Sequence, residues 1–242
     1  MTPLADAYFA TATGLLGRMR AANAPVLRQL GPVIGRAVAA GGVIHTFGSG
    51  HSEIVAREIV GRAGGLAGVS AIVDPTGGVA ENVVGYGTRL AERYDQTFGL
   101  RAGEVAIVVS NSGKNAAPLE VALFAKQRGL TVVGLTSLAM ARTAPTVHPG
   151  GRNLHAVADY VLDNGGVPGD AIVDAADGVR AGPTSTIVGA LLLNLLFLEV
   201  VDWLRQNGHP PPLLRSHNVP GGAEHNRALA QRYAGRLSRP LF

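Results

Sequence analysis

The chain has 242 residues, a net charge of +4 and no cysteine, and 47% of its residues are hydrophobic. This size and composition fit one compact domain, and the lack of cysteine excludes disulfides, thiolate metal sites and cysteine nucleophiles. The basic residues are scattered apart from a C-terminal group, and only 5% of the residues are aromatic, so we expect no nucleic-acid partner.

Charge and hydropathy also bear on assembly and location. Only 16% of the residues are charged, a low fraction that favours a homo-oligomer with part of its surface buried against another copy. The longest apolar stretch, residues 187–201, is shorter than the ~20 residues of a membrane span. It also contains Asn194 and Glu199. No signal peptide is apparent, so we expect a cytoplasmic protein with no membrane partner.

The predicted elements begin with a helical segment over residues 2–40, in which Pro25 and Pro32 predict breaks or first turns. Strands and helices then alternate. The predicted strands cover residues 43–47, 69–73, 105–109, 131–135 and 160–162. The predicted helices cover residues 52–62, 81–84, 88–97, 116–128 and 184–206, with an ordered loop at 139–156. Apolar strands separated by amphipathic helices indicate βαβ units and a parallel sheet.

Two turns rich in glycine and serine each follow a predicted strand and open a predicted helix. The first, Gly-Ser-Gly-His-Ser, covers residues 48–52, and the second, Ser-Asn-Ser-Gly-Lys-Asn, covers residues 110–115. Free backbone N–H groups and hydroxyls at a helix N-terminus suit an anion, above all a phosphate. Because ligands of parallel sheets bind beyond the carboxyl ends of the strands, the two turns predict one site for a phosphorylated small molecule.

The two turns, in this order, resemble the SIS (sugar isomerase) domain family, and residues 182–186 at the last predicted helix match it as well. The resemblance covers roughly residues 35–206, and the chain is similar to a phosphoheptose-isomerase-like branch. It implies an α/β fold, a flavodoxin-like three-layer α/β/α sandwich with a five-stranded parallel sheet. It further implies a phosphosugar ligand, no cofactor, and dimers or tetramers with active sites near subunit interfaces.

Three segments follow from the predicted elements and the resemblance. Residues 1–40 form an N-terminal helical segment that packs on the core, and residues 41–209 form the SIS domain. Residues 210–242 form a C-terminal tail that covers a site or a subunit interface. Whether the tail serves its own subunit or a neighbouring one is left open.

The predicted binding residues come from the two turns and from the start of the last helix, which the family places beside the sugar. Asn115 stands where the family often has Ser or Thr, although its amide can still donate a hydrogen bond. The residues assigned to substrate or phosphate binding are Ser49, Gly50, His51, Ser52, Ser110, Asn111, Ser112, Asn115, Thr184 and Ser185.

Three residues are candidates for catalysis. Glu81, after the second strand, resembles the glutamate that some sugar-phosphate members use there, and its alternative role is that of a solvated helix residue. Several family members supply a catalytic group from a segment after the last helix, which suggests Glu224 and His225. The alternative for these two is a surface tail or a dimer contact. No metal site is predicted.

The favoured function is an aldose–ketose sugar-phosphate isomerase working through an enediol, with carboxylates and imidazoles as acid and base. One alternative is a lyase or etherase acting on an amino-sugar phosphate in the same pocket. Another is a non-catalytic sugar-phosphate sensor. Sensors of this family carry a helix-turn-helix module, and residues 1–40 are too short and too apolar to form a convincing one.

Overall fold

In the computed structural model, which describes residues 1–239, five parallel strands form one sheet in the order β2-β1-β3-β4-β5. The strands are β1 Ile44–Gly48, β2 Val69–Ile72, β3 Val105–Val109, β4 Thr131–Thr136 and β5 Tyr160–Asp163. Strands β1 to β3 are buried along their whole length, as expected of a parallel sheet covered on both faces.

Helices cover both faces of this sheet, so the predicted three-layer α/β/α sandwich is confirmed. The helices are α1 Pro3–Ala39, α2 His51–Glu58, α3 Tyr86–Phe98, α4 Ala116–Gln127, α5 Leu138–Ala141, α6 Ser185–Gln206 and α7 Gly222–Arg232. Helices α1, α2 and α6 share one buried core with the sheet, which includes Leu30, Ile34 and Leu193. Helices α3 and α4 build the core on the opposite face around Ala91 and Leu119.

Helix α1 is continuous, although breaks or first turns were predicted at its prolines. Pro25 and Pro32 both lie inside the helix, where each removes one backbone hydrogen bond. Tertiary packing offsets this loss, because α1 lies along α6 with its buried face in the core. The two helices approach each other closely at Gly35 of α1, where an added Cβ would clash with the Trp203 ring of α6.

Helix α6 is the one helix among the described residues whose length and composition would suffice to cross a membrane. It was predicted to be a core helix, and Val188, Leu192, Leu196 and Val200 on it are fully buried. It packs along α1, and its buried residues belong to the core that both helices share with the sheet.

An antiparallel hairpin that was not predicted connects the sheet to α6. Its strands are β6 Ala171–Ala176 and β7 Val179–Pro183. The connecting residues Asp177 and Gly178 have φ of 49° and 78°, the left-handed pair that a tight hairpin requires. An Asp-Gly dipeptide is a known hairpin signal, so this element could have been found from the sequence.

Other segments also differ from the predicted elements. The helix predicted at 81–84 is a series of turns, because the left-handed Gly77, Gly78 and Gly85 interrupt helical geometry around it. The predicted loop at 139–156 contains most of α5 and a 3-10 turn at Leu154–Ala156. The tail contains α7, which was not predicted.

The described part of the tail packs against its own sheet. Ser238 accepts a hydrogen bond from the backbone N–H of Ala71 on the edge strand β2 (3.2 Å) and donates its own N–H to Ser70 Oγ (2.9 Å). Arg236 donates to the buried Glu104 at 2.8 Å. The last residues of the predicted tail, 240–242, lie outside the described part of the chain.

Candidate functional site

A cavity of about 760 Å³ opens at the carboxyl ends of the parallel strands, a size typical of small-molecule sites. It is lined by the turns after β1, β2 and β3, the loop before the hairpin, and the start of α6. The predicted site residues that line it are Ser49, Gly50, His51, Ser52, Glu81, Ser110, Asn111, Ser112, Asn115 and Ser185.

The turn before α4 presents hydrogen-bond donors to this cavity. The Ser110 hydroxyl accepts a hydrogen bond from Gly113 N–H (3.2 Å), which leaves its own hydrogen free to donate. Within residues 1–239, the Ser112 hydroxyl has no hydrogen bond, and the N–H groups of Asn111, Ser112 and Asn115 have no acceptor. These donors lie at the positive end of α4 and are suited to an anion.

Gly113 allows the turn before α4 to pack closely against Thr136 and Ala141. Its φ is +65°, and an added Cβ would lie 2.9 Å from Thr136 Oγ1 and 3.0 Å from Ala141 Cβ. Both the conformation and the space therefore require glycine. The serine motif and β4 are held in contact by this residue.

The turn after β1 brings the N-terminus of α2 to the same cavity. Gly50 caps the helix with φ 56°, and the exposed His51 side chain lies on the cavity wall. The Ser49 hydroxyl donates to Asp74 Oδ2 at 2.6 Å. Ser49 was predicted to bind substrate, but its hydroxyl hydrogen is already used, so it can only accept a hydrogen bond from a ligand.

Asp74 organises this wall and was not predicted from the sequence. It is buried and also accepts hydrogen bonds from Thr76 N–H (2.9 Å), Gly78 N–H (3.0 Å) and the Tyr86 hydroxyl (2.6 Å). Burial alone would raise the pKa of Asp74, but the hydrogen bonds from Ser49, Tyr86 and Thr76 outweigh it and lower that pKa to about 2. The Asp74 carboxylate thus holds the turn at residues 74–78 against Ser49.

Glu81 contributes an unpaired carboxylate to the cavity. The residue is half-buried, and its side chain has no hydrogen bond or ion pair with any of residues 1–239. Its carbonyl oxygen accepts a hydrogen bond from Ala117 N–H at 2.9 Å, which holds the segment against the first turn of α4. A fixed backbone and a free carboxylate are what a general base requires.

The start of α6 is occupied by a second carboxylate that the sequence did not indicate. Asp170 Oδ1 accepts hydrogen bonds from the N–H groups of Thr184 (3.3 Å) and Ser185 (3.0 Å), and its Oδ2 accepts from the Ser185 hydroxyl. Asp170 lines the cavity. Thr184 was predicted to bind substrate, but it is fully buried and does not line the cavity.

The tail residues Glu224 and His225 do not line this cavity. Both lie on α7, where Glu224 is exposed and pairs with Arg227 at 3.0 Å. His225 Nε2 contacts the carbonyl oxygen of Leu213 at 2.8 Å. The prediction that these two residues meet the substrate is therefore not supported within one chain, because α7 packs elsewhere.

The charges around the cavity are mostly acidic. Among the described residues, the lining contains the carboxylates of Glu81 and Asp170, the imidazole of His51, and no lysine or arginine. Residues 1–239 hold no group of three or more histidine or acidic side chains that could bind a metal ion. An anion in this cavity would be held by helix N-termini and hydroxyls.

Comparisons with known proteins identify the family of this chain. The sequence pattern of the SIS domain matches residues 7–137. The UPF0309 protein of Halalkalibacterium halodurans is 36% identical over 218 residues, covering 88% of this chain and 87% of the relative. That of Geobacillus thermodenitrificans is 37% identical over 217 residues, covering 87% of each chain.

Two solved structures show the same fold. The phosphoheptose isomerase of Neisseria gonorrhoeae superposes with a TM-score of 0.55 at 18% identity, covering 81% of this chain and 96% of that one. The phosphoheptose isomerase of Francisella tularensis gives 0.54 at 15% identity, covering 82% and 100%.

Proposed function

Because this chain belongs to the SIS-domain family and to the UPF0309 proteins, we propose that its cavity binds a phosphorylated sugar and interconverts the aldose and ketose forms. One observation carries the proposal. The open N-terminus of α4, with its free hydroxyl and N–H donors, lines the same cavity as the unpaired carboxylate of Glu81. The first suits a phosphate, and the second suits proton abstraction.

The phosphate binds at the turn before α4. The hydroxyls of Ser110 and Ser112 donate to it, together with the N–H groups of Asn111, Ser112 and Asn115. Asn115 Oδ1 is buried and has no partner among residues 1–239, and turning the amide would direct its NH2 to the phosphate instead. With no lysine or arginine in the described lining, affinity depends on these oriented donors and the helix dipole.

Glu81 acts as the base in this proposal. It removes the proton from the carbon next to the carbonyl, and the electron pair of that C–H bond forms the carbon–carbon double bond of the enediol. The carbonyl oxygen takes a proton from an acid. Return of a proton to the other carbon, with loss of the hydroxyl proton, completes the interconversion without a net change in atoms or electrons. Proton transfer of this kind typically contributes about 10²–10⁴ in rate.

His51 is the acid in this scheme. It is the imidazole in the described lining of the cavity, and histidine is the side chain most often used for general acid–base catalysis. Its position at the first residue of α2 places it on the wall beside the first turn. Glu224 and His225 have no role here, since both lie outside the cavity.

A screen followed by isotope exchange tests this function. Thermal shift against a panel of sugar phosphates identifies a ligand, and the ligand is then incubated with the protein in deuterated water. We expect deuterium at the carbon next to the carbonyl and formation of the ketose or aldose partner. Stabilisation without exchange would overturn the isomerase and support a sensor, whereas cleavage into two products would support a lyase.

A further inference from the structure

Three helices, α2, α4 and α6, begin at the cavity, but their N-termini are not equivalent. At α2, the N–H groups of Ser52 and Glu53 already donate to the carbonyl oxygens of Ser49 and Gly50. The turn before α4 has unpaired hydroxyl and N–H donors within the described part of the chain. The N-terminus of α6 is already filled, because the carboxylate of Asp170 accepts from Thr184 N–H, Ser185 N–H and the Ser185 hydroxyl. A carboxylate of the chain itself occupies the place of a bound anion.

The hairpin holds Asp170 at this position. Asp170 directly precedes β6, and the first residue of β6, Ala171, pairs with Pro183 at the end of β7. That register brings Asp170 level with Thr184 and Ser185. From α1, the Tyr8 hydroxyl donates to the carbonyl oxygen of Pro183 at 2.8 Å and fixes the end of the hairpin. The hairpin register and the Tyr8 hydrogen bond therefore hold Asp170 at the N-terminus of α6.

The backbone of Asp170 is also unusual. Its φ is 54°, in the left-handed region that few residues other than glycine, asparagine and aspartate adopt. Glycine would suit this conformation better but would supply no carboxylate. The sequence thus places an anionic side chain at a position where the backbone favours glycine.

We propose that Asp170 is a specificity-determining residue whose carboxylate occupies the third helix N-terminus, so that the cavity accepts a sugar with one phosphate and rejects one with a second anionic group. A second phosphate would share the cavity with the carboxylates of Asp170 and Glu81, with no cation in the described lining, and like charges brought together oppose binding. The inference rests on the proposed function, since it assumes that the one phosphate binds at α4.

The first experiment uses tungstate, a tetrahedral dianion that resembles phosphate and is easily located by X-ray diffraction. Crystals of the wild-type protein and of Asp170→Gly are soaked in tungstate. We expect one anion at the start of α4 in the wild type, and anions at the starts of both α4 and α6 in the variant. No anion at α4 in either protein would overturn the proposed function. An anion at α4 but none at α6 in the variant would overturn the role of Asp170.

The second experiment measures affinity by calorimetry with fructose 6-phosphate and fructose 1,6-bisphosphate, which differ only in the second phosphate. We expect the wild type to favour the monophosphate by at least about tenfold. Asp170→Gly should reduce that ratio to about threefold or less. An unchanged ratio in a variant whose circular dichroism shows a native fold would overturn the proposal.

Two further variants separate charge from structure. Asp170→Asn keeps an acceptor oxygen and tolerates the left-handed backbone but removes the charge, so it should relax the ratio even if Asp170→Gly fails to fold. Asp177→Asn removes a carboxylate from the exposed turn of the same hairpin, outside the cavity lining, and its ratio should match the wild type. Equal relaxation in Asp177→Asn and Asp170→Asn would show that a general change in the hairpin or in net charge, rather than the carboxylate at α6, sets the preference, and would overturn the proposal.

Discussion

Ser49 donates its hydroxyl hydrogen to the buried carboxylate of Asp74 across 2.6 Å. Ser49 is one of the two serines of the first turn, and its hydroxyl hydrogen is therefore used within the chain and is not free for a phosphate. The pair joins the turn after β1 to the turn after β2, and these two turns form one wall of the cavity. The proposed phosphate site uses the donors at α4 instead.

Asp74→Asn should loosen this wall. The substitution removes the anion and points an NH2 group at donors that need an acceptor, so we expect a loss of about 1–3 kcal/mol in the free energy of unfolding and weaker binding of phosphosugar. Urea denaturation and calorimetry measure the two effects. Asp177→Asn is the matched control, since Asn suits that exposed left-handed turn, and it should change neither quantity. Equal stability of Asp74→Asn and the wild type would contradict this role.

Ser112→Ala should weaken binding without affecting stability. The Ser112 hydroxyl has no hydrogen bond within residues 1–239, whereas a hydrogen bond to a charged phosphate is worth about 1.5–3 kcal/mol. We expect the Kd for the best phosphosugar to rise roughly tenfold to a hundredfold and the melting temperature of the free protein to stay unchanged. Thr13→Ala, on the exposed face of α1, is the control. An unaltered Kd in Ser112→Ala would contradict the proposal that the phosphate binds at the start of α4.

Acid should destabilise the protein through Glu104. Burial would raise its pKa, but hydrogen bonds from His45, Arg101 and Val43 lower it from the usual 4.5 to about 2 in the folded state. The unfolded chain therefore binds the proton first as the pH falls, so the stabilisation present above about pH 4.5 is lost between that pH and about 2.

His45 also makes the folded protein less stable as the pH falls. Burial lowers the pKa of this histidine below its usual 6.5 despite the neighbouring Glu104, so the unfolded chain is protonated first below that pH. Denaturation of Glu104→Gln at several pH values tests the account. The variant should be less stable than the wild type at pH 7, and the gap should narrow toward pH 3. A constant gap would show that Glu104 is not the group responsible.

His225→Ala should cost stability but not activity. His225 contacts the Leu213 carbonyl oxygen and lies outside the cavity, so the loss should be about 0.5–1.5 kcal/mol for one hydrogen bond. Turnover of the identified phosphosugar should stay within about twofold of the wild type, well short of the 10² expected for loss of an acid or base. A hundredfold loss of turnover in His225→Ala would instead show that the tail takes part in catalysis.

The sequence was sufficient to predict the sheet, most helices and the two turns, because apolar strands and helix starts are encoded locally. Asp74 and Asp170 were missed for a different reason. The role of Asp74 depends on Ser49 and Tyr86 meeting it in space, and that of Asp170 depends on the register of the hairpin. Thr184 lies beside the correct helix start, but its orientation into the core is set by tertiary packing.

Comparison of Glu81→Gln with the wild type tests the central claim most directly. The two side chains have nearly the same shape, so the variant should bind the identified phosphosugar with a Kd within about threefold of the wild type. Solvent deuterium exchange at the carbon next to the carbonyl should fall by at least about 10². Exchange by Glu81→Gln at the wild-type rate, or binding by the wild type with no exchange at all, would contradict the account.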